Sequence, residues 1–284
     1  MRPFPAGSAP LPGAAAEELT LFALQAGEKA PEAVTPGPSV GVHLVVAYLG
    51  SDFRGFAAQP GQLTVAGVLV SALERNLRHT VALTCAGRTD AGVHAWGQVV
   101  SFVCRADVDL EALTRSVNRA LRPRVVIRSA EMSPPGFDAR HSATARRYRY
   151  TIVNRAVADP FLAATAWHVA SHLDLAALRL GCDALFGEHD FSSFCRRPPA
   201  GSLTRVVRDA RWVDLGDGLL RFEIEASSFC QQMVRAVVGT LVDMGQGRRR
   251  AGEMAGIVAA RDRAAAGRIA PPNGLCLWDV RYEP

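Results

Sequence analysis

Lysine is nearly missing from this chain: of its 32 basic residues, only Lys29 is a lysine. A GC-rich genome produces that bias as readily as a need for planar guanidinium groups, so the ratio assigns no function by itself. No apolar run approaches the length that crosses a bilayer, and the N-terminus, MRPFPAGSAPLPG, is too proline-rich for a signal-peptide core. A cytoplasmic protein without a membrane association is therefore expected. The six cysteines, Cys85, Cys104, Cys182, Cys195, Cys230 and Cys276, include no C-x-x-C pair, and no histidines stand at zinc spacing. That suggests neither a metal knuckle nor a disulfide framework, and leaves reduced, mostly buried thiols as the expectation.

What is present is an ordinary globular composition, 49% apolar and 21% charged over 284 residues, enough for one large domain or two smaller ones. The net charge is +5, but the first 41 residues hold two basic groups (Arg2, Lys29) against four acids (Glu17, Glu18, Glu28, Glu32), a net −2 that leaves +7 for the remainder. The basic charge is clustered. Arg140, Arg146, Arg147, Arg149 and Arg155 fall within sixteen residues that contain no acid. Arg196, Arg197, Arg205, Arg208 and Arg211 form a second group, and Arg248, Arg249 and Arg250 a third. Any one cluster could be a solvated sheet face; three of them, two threaded with Tyr148, Tyr150 and Trp212, point to nucleic acid, because phosphates suit arginine and bases stack on aromatics.

Residues 1–41, rich in Pro, Ala, Gly and Glu, read as a disordered extension with at most a short helix at Glu17–Gln25. The spacing then predicts a strand at His43–Tyr48 and a helix capped by Thr64. A strand at Val81–Cys85, a loop, and a strand at Gly97–Cys104 follow, then a helix capped by Asp109 and a strand at Val125–Glu131. A second half repeats the theme. It has strands at Arg146–Val153 and Ala166–Val169, a helix capped by Asp174, a hairpin of Val206–Val213 with Leu219–Ala226, and an apolar helix over Phe229–Met244. A short helix and a last strand, Leu275–Tyr282, close it. The fold class is α+β. Two ferredoxin-like, split βαβ halves, 42–138 and 139–284, are expected to form an extended, mainly antiparallel sheet with a central RNA-binding cleft.

The stretch that carries the chemistry is CAGRTDAGVHA, residues 85–95. Gly87 and Gly92 bracket Arg88, Thr89 and Asp90, so the chain can turn sharply and lift one cation and one carboxylate clear of the flanking strands. Taken alone, an Asp-Ala-Gly loop between strands is more often a turn than a catalytic centre.

Together with FDARHSATARRYRYTI, GEHDFSSF, FCQQMVRAVVGTLVDMG and PPNGLCLWDVRY, that stretch resembles, in order and spacing, the tRNA pseudouridine synthase A family over about residues 43–284. The resemblance implies isomerisation of uridine to pseudouridine at positions 38, 39 and 40 of the tRNA anticodon stem-loop. It also implies a homodimer, two α/β halves and neither cofactor nor metal. Residue by residue it makes Asp90 the catalytic aspartate, Arg88 its neighbour in the loop, Tyr148 the aromatic that stacks on the target base, and Arg235 the partner of the aspartate. Arg140, Arg146, Arg147, Arg149 and Arg205 are candidate RNA contacts. His94, His141 and His189 read as packing or loop residues.

The chemistry suits those residue types. Breaking the N1–C1′ bond, turning the uracil and rejoining it through C5 oxidises nothing and releases nothing; it requires a carboxylate near C1′, as nucleophile or as base. The chain departs from the family pattern at Gly55-Phe56-Ala57, Val65-Ala66-Gly67 and Gln231-Gln232. Two other classes compete: a tRNA-binding protein or chaperone of the same fold without activity, and a nucleoside hydrolase or glycosidase. The latter would need a second carboxylate or a metal-binding acidic cluster, and no such motif stands near Asp90.

Overall fold

The computed structural model describes residues 37–196 and 201–282. Its strands are β1 (Ser39–Tyr48), β2 (Thr84–Cys85), β3 (His94–Arg105), β4 (Val125–Met132), β5 (Ala143–Val153), β6 (Trp167–His168), β7 (Gly187–Asp190), β8 (Thr204–Asp214), β9 (Leu219–Ala226) and β10 (Leu275–Tyr282). The helices are α1 (Val65–Leu77), α2 (Leu110–Leu121), α3 (Leu175–Leu180), α4 (Met233–Gly245) and α5 (Glu253–Ala260).

Three helix starts are set by the polar residues expected from the sequence. The side chain of Thr64 accepts from the Gly67 N–H, that of Asp109 from Ala112, and that of Asp174 from Ala176 and Ala177. Each satisfies amides that a first turn leaves without partners. The expected helix over Phe229–Met244 is shorter: α4 begins at Met233, because Gln232 takes a left-handed φ of 67° and residues 227–232 turn away from the end of β9. The long helix expected after Asp174 also breaks, into α3 and a single 3-10 turn at Asp183–Leu185.

All ten strands belong to one sheet in the order β4-β1-β3-β10-β5-β9-β8-β7, with β2 beside β3 and β6 beside β5. Pairing is antiparallel except between β3 and β10 and between β5 and β6. The chain is thus mixed α/β with a large, mostly antiparallel sheet. β1 starts at Ser39 rather than His43, since Val40 and Val42 pair with Cys104 and Phe102 of β3; the rest of the expected extension and its short helix, up to residue 36, lie outside the described residues. β7, whose sequence GEHD has no apolar alternation, was not expected.

Strand alternation decides what faces inward. On β5, Tyr148, Tyr150 and Ile152 are buried. The intervening arginines turn to the other face, where Arg147 pairs with Glu225 at 2.7 Å and Arg149 with Glu223 at 2.8 Å. Among the described residues no helix is long and apolar enough to cross a membrane.

His94 ties distant segments together. Its Nδ1 accepts from the Gly50 N–H at 2.9 Å and its Nε2 donates to the Asn273 carbonyl at 3.0 Å, which requires the neutral ring. Burial pushes its pKa below the ordinary 6.5. The unfolded chain therefore binds a proton below about pH 6.5 that the folded chain refuses, and stability is lost as pH falls through that value. Urea unfolding at pH 7.5 and 5.5 should show the loss, at up to ~1.4 kcal/mol per pH unit from this group, and His94→Gln should remove that part of the slope.

Candidate active site

The 85–93 loop is held from below. The Ala86 N–H donates to the Val99 carbonyl at 2.8 Å, the Phe56 N–H to the Thr89 carbonyl at 3.0 Å, and the Val93 N–H to the Asp90 carbonyl at 3.1 Å, closing the turn. Thr89 is buried and its hydroxyl shares a 2.7 Å hydrogen bond with that of Tyr48, while Gln98 Nε2 donates to the Gly87 carbonyl at 2.7 Å. Gly92 takes a positive φ of 79°, with Pro272 where a side chain would stand; Gly87 does not take that conformation. A glycine outside the motif matters as much: Gly55 (φ 101°) lies so close that a Cβ would sit 3.0 Å from the Thr89 carbonyl.

Asp90 is thereby presented, half-buried, to a cavity. Arg235 comes to meet it from α4, every other residue of which is buried. Arg235 Nη1 lies 3.8 Å from Asp90 Oδ2, and its Nε donates to the Ala270 carbonyl at 2.7 Å, which fixes the guanidinium. Burial lowers the Arg235 pKa and the Asp90 charge opposes that shift. Tyr148 closes the floor, packed edge-on against Phe229 with centroids 4.9 Å apart. Burial, then the nearby Asp90 charge, raise its phenol far above the ordinary value, so it stays neutral.

The cavity is about 1190 Å³, larger than one small-molecule ligand needs. Its wall includes Arg88, Arg140 and Arg205, and also Arg54, which no sequence cluster had singled out because it stands alone in a turn-rich loop. Arg88, Arg140 and Arg54 are exposed; Arg205 is partly engaged, donating to the Ser202 and Thr204 carbonyls. Arg146 also lines the wall, but it is buried and its donors point into the protein. Arg147 and Arg149 are not at the cavity. They lie across the sheet with Arg211, Arg221 and Arg281 around Glu223 and Glu225. Burial pushes the Glu223 carboxyl up, but Arg149, Arg221 and Arg211 together outweigh it and its pKa falls.

The expectation of reduced thiols is corrected at one pair. Cys195 and Cys230 form a disulfide, with Cα atoms 5.8 Å apart and Cys230 on the cavity wall. Their 35-residue separation carries no local signal; the pairing follows from the meeting of the 192–196 and 227–232 turns, where the Arg196 N–H donates to the Gln231 carbonyl. The other four remain thiols, and burial raises Cys182 and Cys276 to about 12. Among the described residues no group of three or more His, Cys, Asp or Glu side chains is placed to hold a metal ion.

With this geometry in hand, a family profile described as tRNA pseudouridine synthase matches residues 44–142 and 182–283. Arg88, Asp90 and Arg235 fall inside the matched segments and Tyr148 between them. A tRNA pseudouridine synthase A of Geobacter sulfurreducens is 37% identical over 243 residues, 85% of this chain and 99% of that protein. Those of Brevibacillus brevis (39% over 247 residues, 84% and 98%) and Frankia casuarinae (40% over 247 residues, 86% and 90%) are similar to the same degree. A carboxylate paired with a buried arginine above an aromatic floor, in a basic cavity within a chain matched over most of its length, leads to one conclusion: the chain belongs to the tRNA pseudouridine synthase family.

Proposed function

We propose that this protein isomerises uridine to pseudouridine at positions 38, 39 and 40 of the tRNA anticodon stem-loop, with Asp90 as the catalytic group. The observation that carries the reading is the Asp90 carboxylate, open to the cavity with Arg235 3.8 Å away. Arg235, fixed on the Ala270 carbonyl, holds the orientation of the Asp90 carboxylate. A uridine leaves its stack at a cost of a few kcal/mol, and Tyr148 offsets part of that by stacking on the base. Asp90 then acts at C1′, as nucleophile or base, while the N1–C1′ bond breaks and C5 replaces N1. Arg88, Arg140, Arg205 and Arg54 face the phosphates. In this reading the chain is cytoplasmic and its two α+β halves, 42–138 and 139–284, share the sheet. It works as a homodimer, whose second copy would cover the exposed Trp96 and Val103.

Site-resolved pseudouridine mapping on an unmodified transcript with uridines at 38–40 tests the core of this. Wild type should modify them, and Asp90→Asn should bind tRNA but lose more than about 10³-fold in rate. Wild type that binds tRNA and leaves every uridine unchanged replaces the enzyme with a binding protein; free uracil in the products would mean hydrolysis.

Tyr148→Phe should keep most activity, whereas Tyr148→Ala should lose about 5- to 150-fold, the worth of one base-aromatic stack of ~1–3 kcal/mol. Equal rates for wild type and Tyr148→Ala would remove the stacking role.

Charge placement gives a third test. Arg88→Ala and Arg140→Ala should each lower the slope of log K against log salt for tRNA binding by about one. Arg147→Ala, on the far side of the sheet, should leave the slope unchanged.

A further inference from the structure

Arg146 is a buried arginine. Among the described residues no carboxylate lies within salt-bridge distance of its guanidinium, and its donors go to backbone carbonyls instead. Nε and Nη2 both donate to Ala86, at 3.3 and 2.9 Å. Nη1 donates to Ala143 at 3.0 Å and Ser227 at 2.9 Å, and Nη2 to Arg140 at 2.8 Å. Burying a charge without a counter-ion is costly, so a neutral side chain would be the cheaper filling if packing were all that mattered. What guanidinium alone offers is five donors in a rigid plane, enough to bind four carbonyls from three separate segments at once.

Those segments include the candidate active site. Ala86, which takes two of the bonds, precedes Arg88 by two residues and Asp90 by four. Arg146 also stands two residues before Tyr148 on β5, so one strand carries both the clamp on the loop and the cavity floor. We infer that Arg146 is a positioning residue, which holds the Ala86 carbonyl and so sets the Arg88–Asp90 loop at a fixed height over Tyr148. It is then no phosphate contact, in spite of its place in a basic cluster. The inference rests on the function proposed above.

The test is Arg146→Lys, because lysine keeps the charge but cannot span four carbonyls. Single-turnover pseudouridine formation, tRNA affinity and its salt slope are measured at a temperature where circular dichroism shows the variant folded. Misplacement of the loop should slow the chemical step by about a hundredfold, with affinity within about threefold of wild type and the salt slope unchanged. A rate equal to wild type overturns the inference. So does a weaker affinity with a salt slope lowered by about one in Arg146→Met, which would make Arg146 a phosphate contact. If Arg146→Lys does not fold, Arg146→Gln removes the buried charge and retains donors for Ala86. Its rate should then fall between those of wild type and Arg146→Met; failure of every variant to fold would assign Arg146 to stability alone. A wild type that forms no pseudouridine overturns the underlying function, whereas an active wild type with an unimpaired Arg146→Lys overturns only this role.

Discussion

The site depends on where the last strand enters the sheet. β10 inserts between β3 and β5, pairing in parallel with one and antiparallel with the other, so that Leu277 stands opposite Ala95 on one side and Tyr148 on the other. Ala95 lies five residues beyond Asp90. One strand from the end of the chain thus brings the 85–93 loop and the aromatic strand into register. The parallel contact is short, only Cys276 with His94 and Leu277 with Ala95, and it is reinforced where His94 bonds to the Asn273 carbonyl. Since strand register changes in whole residues and one step reverses every side chain, this arrangement has little tolerance for slippage.

Around that register the polar groups are divided by face. Glu223 and Glu225 are buried and absorb the arginines of one side of the sheet. The cavity side keeps Arg54, Arg88, Arg140, Arg205 and Arg235 against Asp90. A single strand, β5, contributes to both: Arg147 and Arg149 to the carboxylate network, Arg146 and Tyr148 to the cavity. Among the described residues no carboxylate lies within ion-pair distance of the Arg54, Arg88 or Arg140 side chains on the cavity wall, which a basic cluster read only as a sum of charges would not reveal.

Much of this is legible in the sequence because the relevant signals are local. Capping by Thr64, Asp109 and Asp174 depends on residues within one turn, and the alternation of RRYRYTIV separates its two faces without knowledge of any partner strand. The Asp90 loop and Arg235 were legible through a family's motif strings. Where the sequence carries no signal, the deciding contact is remote. Arg147 and Arg149 share one basic cluster with Arg146, but the glutamates they face stand more than 70 residues away. Cys195 and Cys230 have no spacing signature, and Gly55 meets the 85–93 loop, and Arg54 its cavity, only across the fold.

The chain by itself therefore determined the element types and most of their starts. Periodicity, capping and turn formation involve neighbours a few positions apart, and their energies can be judged without a partner. Tertiary structure alone decided which arginines reach the cavity, which are spent on glutamates, and that Arg146 turns inward to four carbonyls. Hydrogen bonds and ion pairs act over a few ångströms, and which groups come within that range is set by sheet order and register.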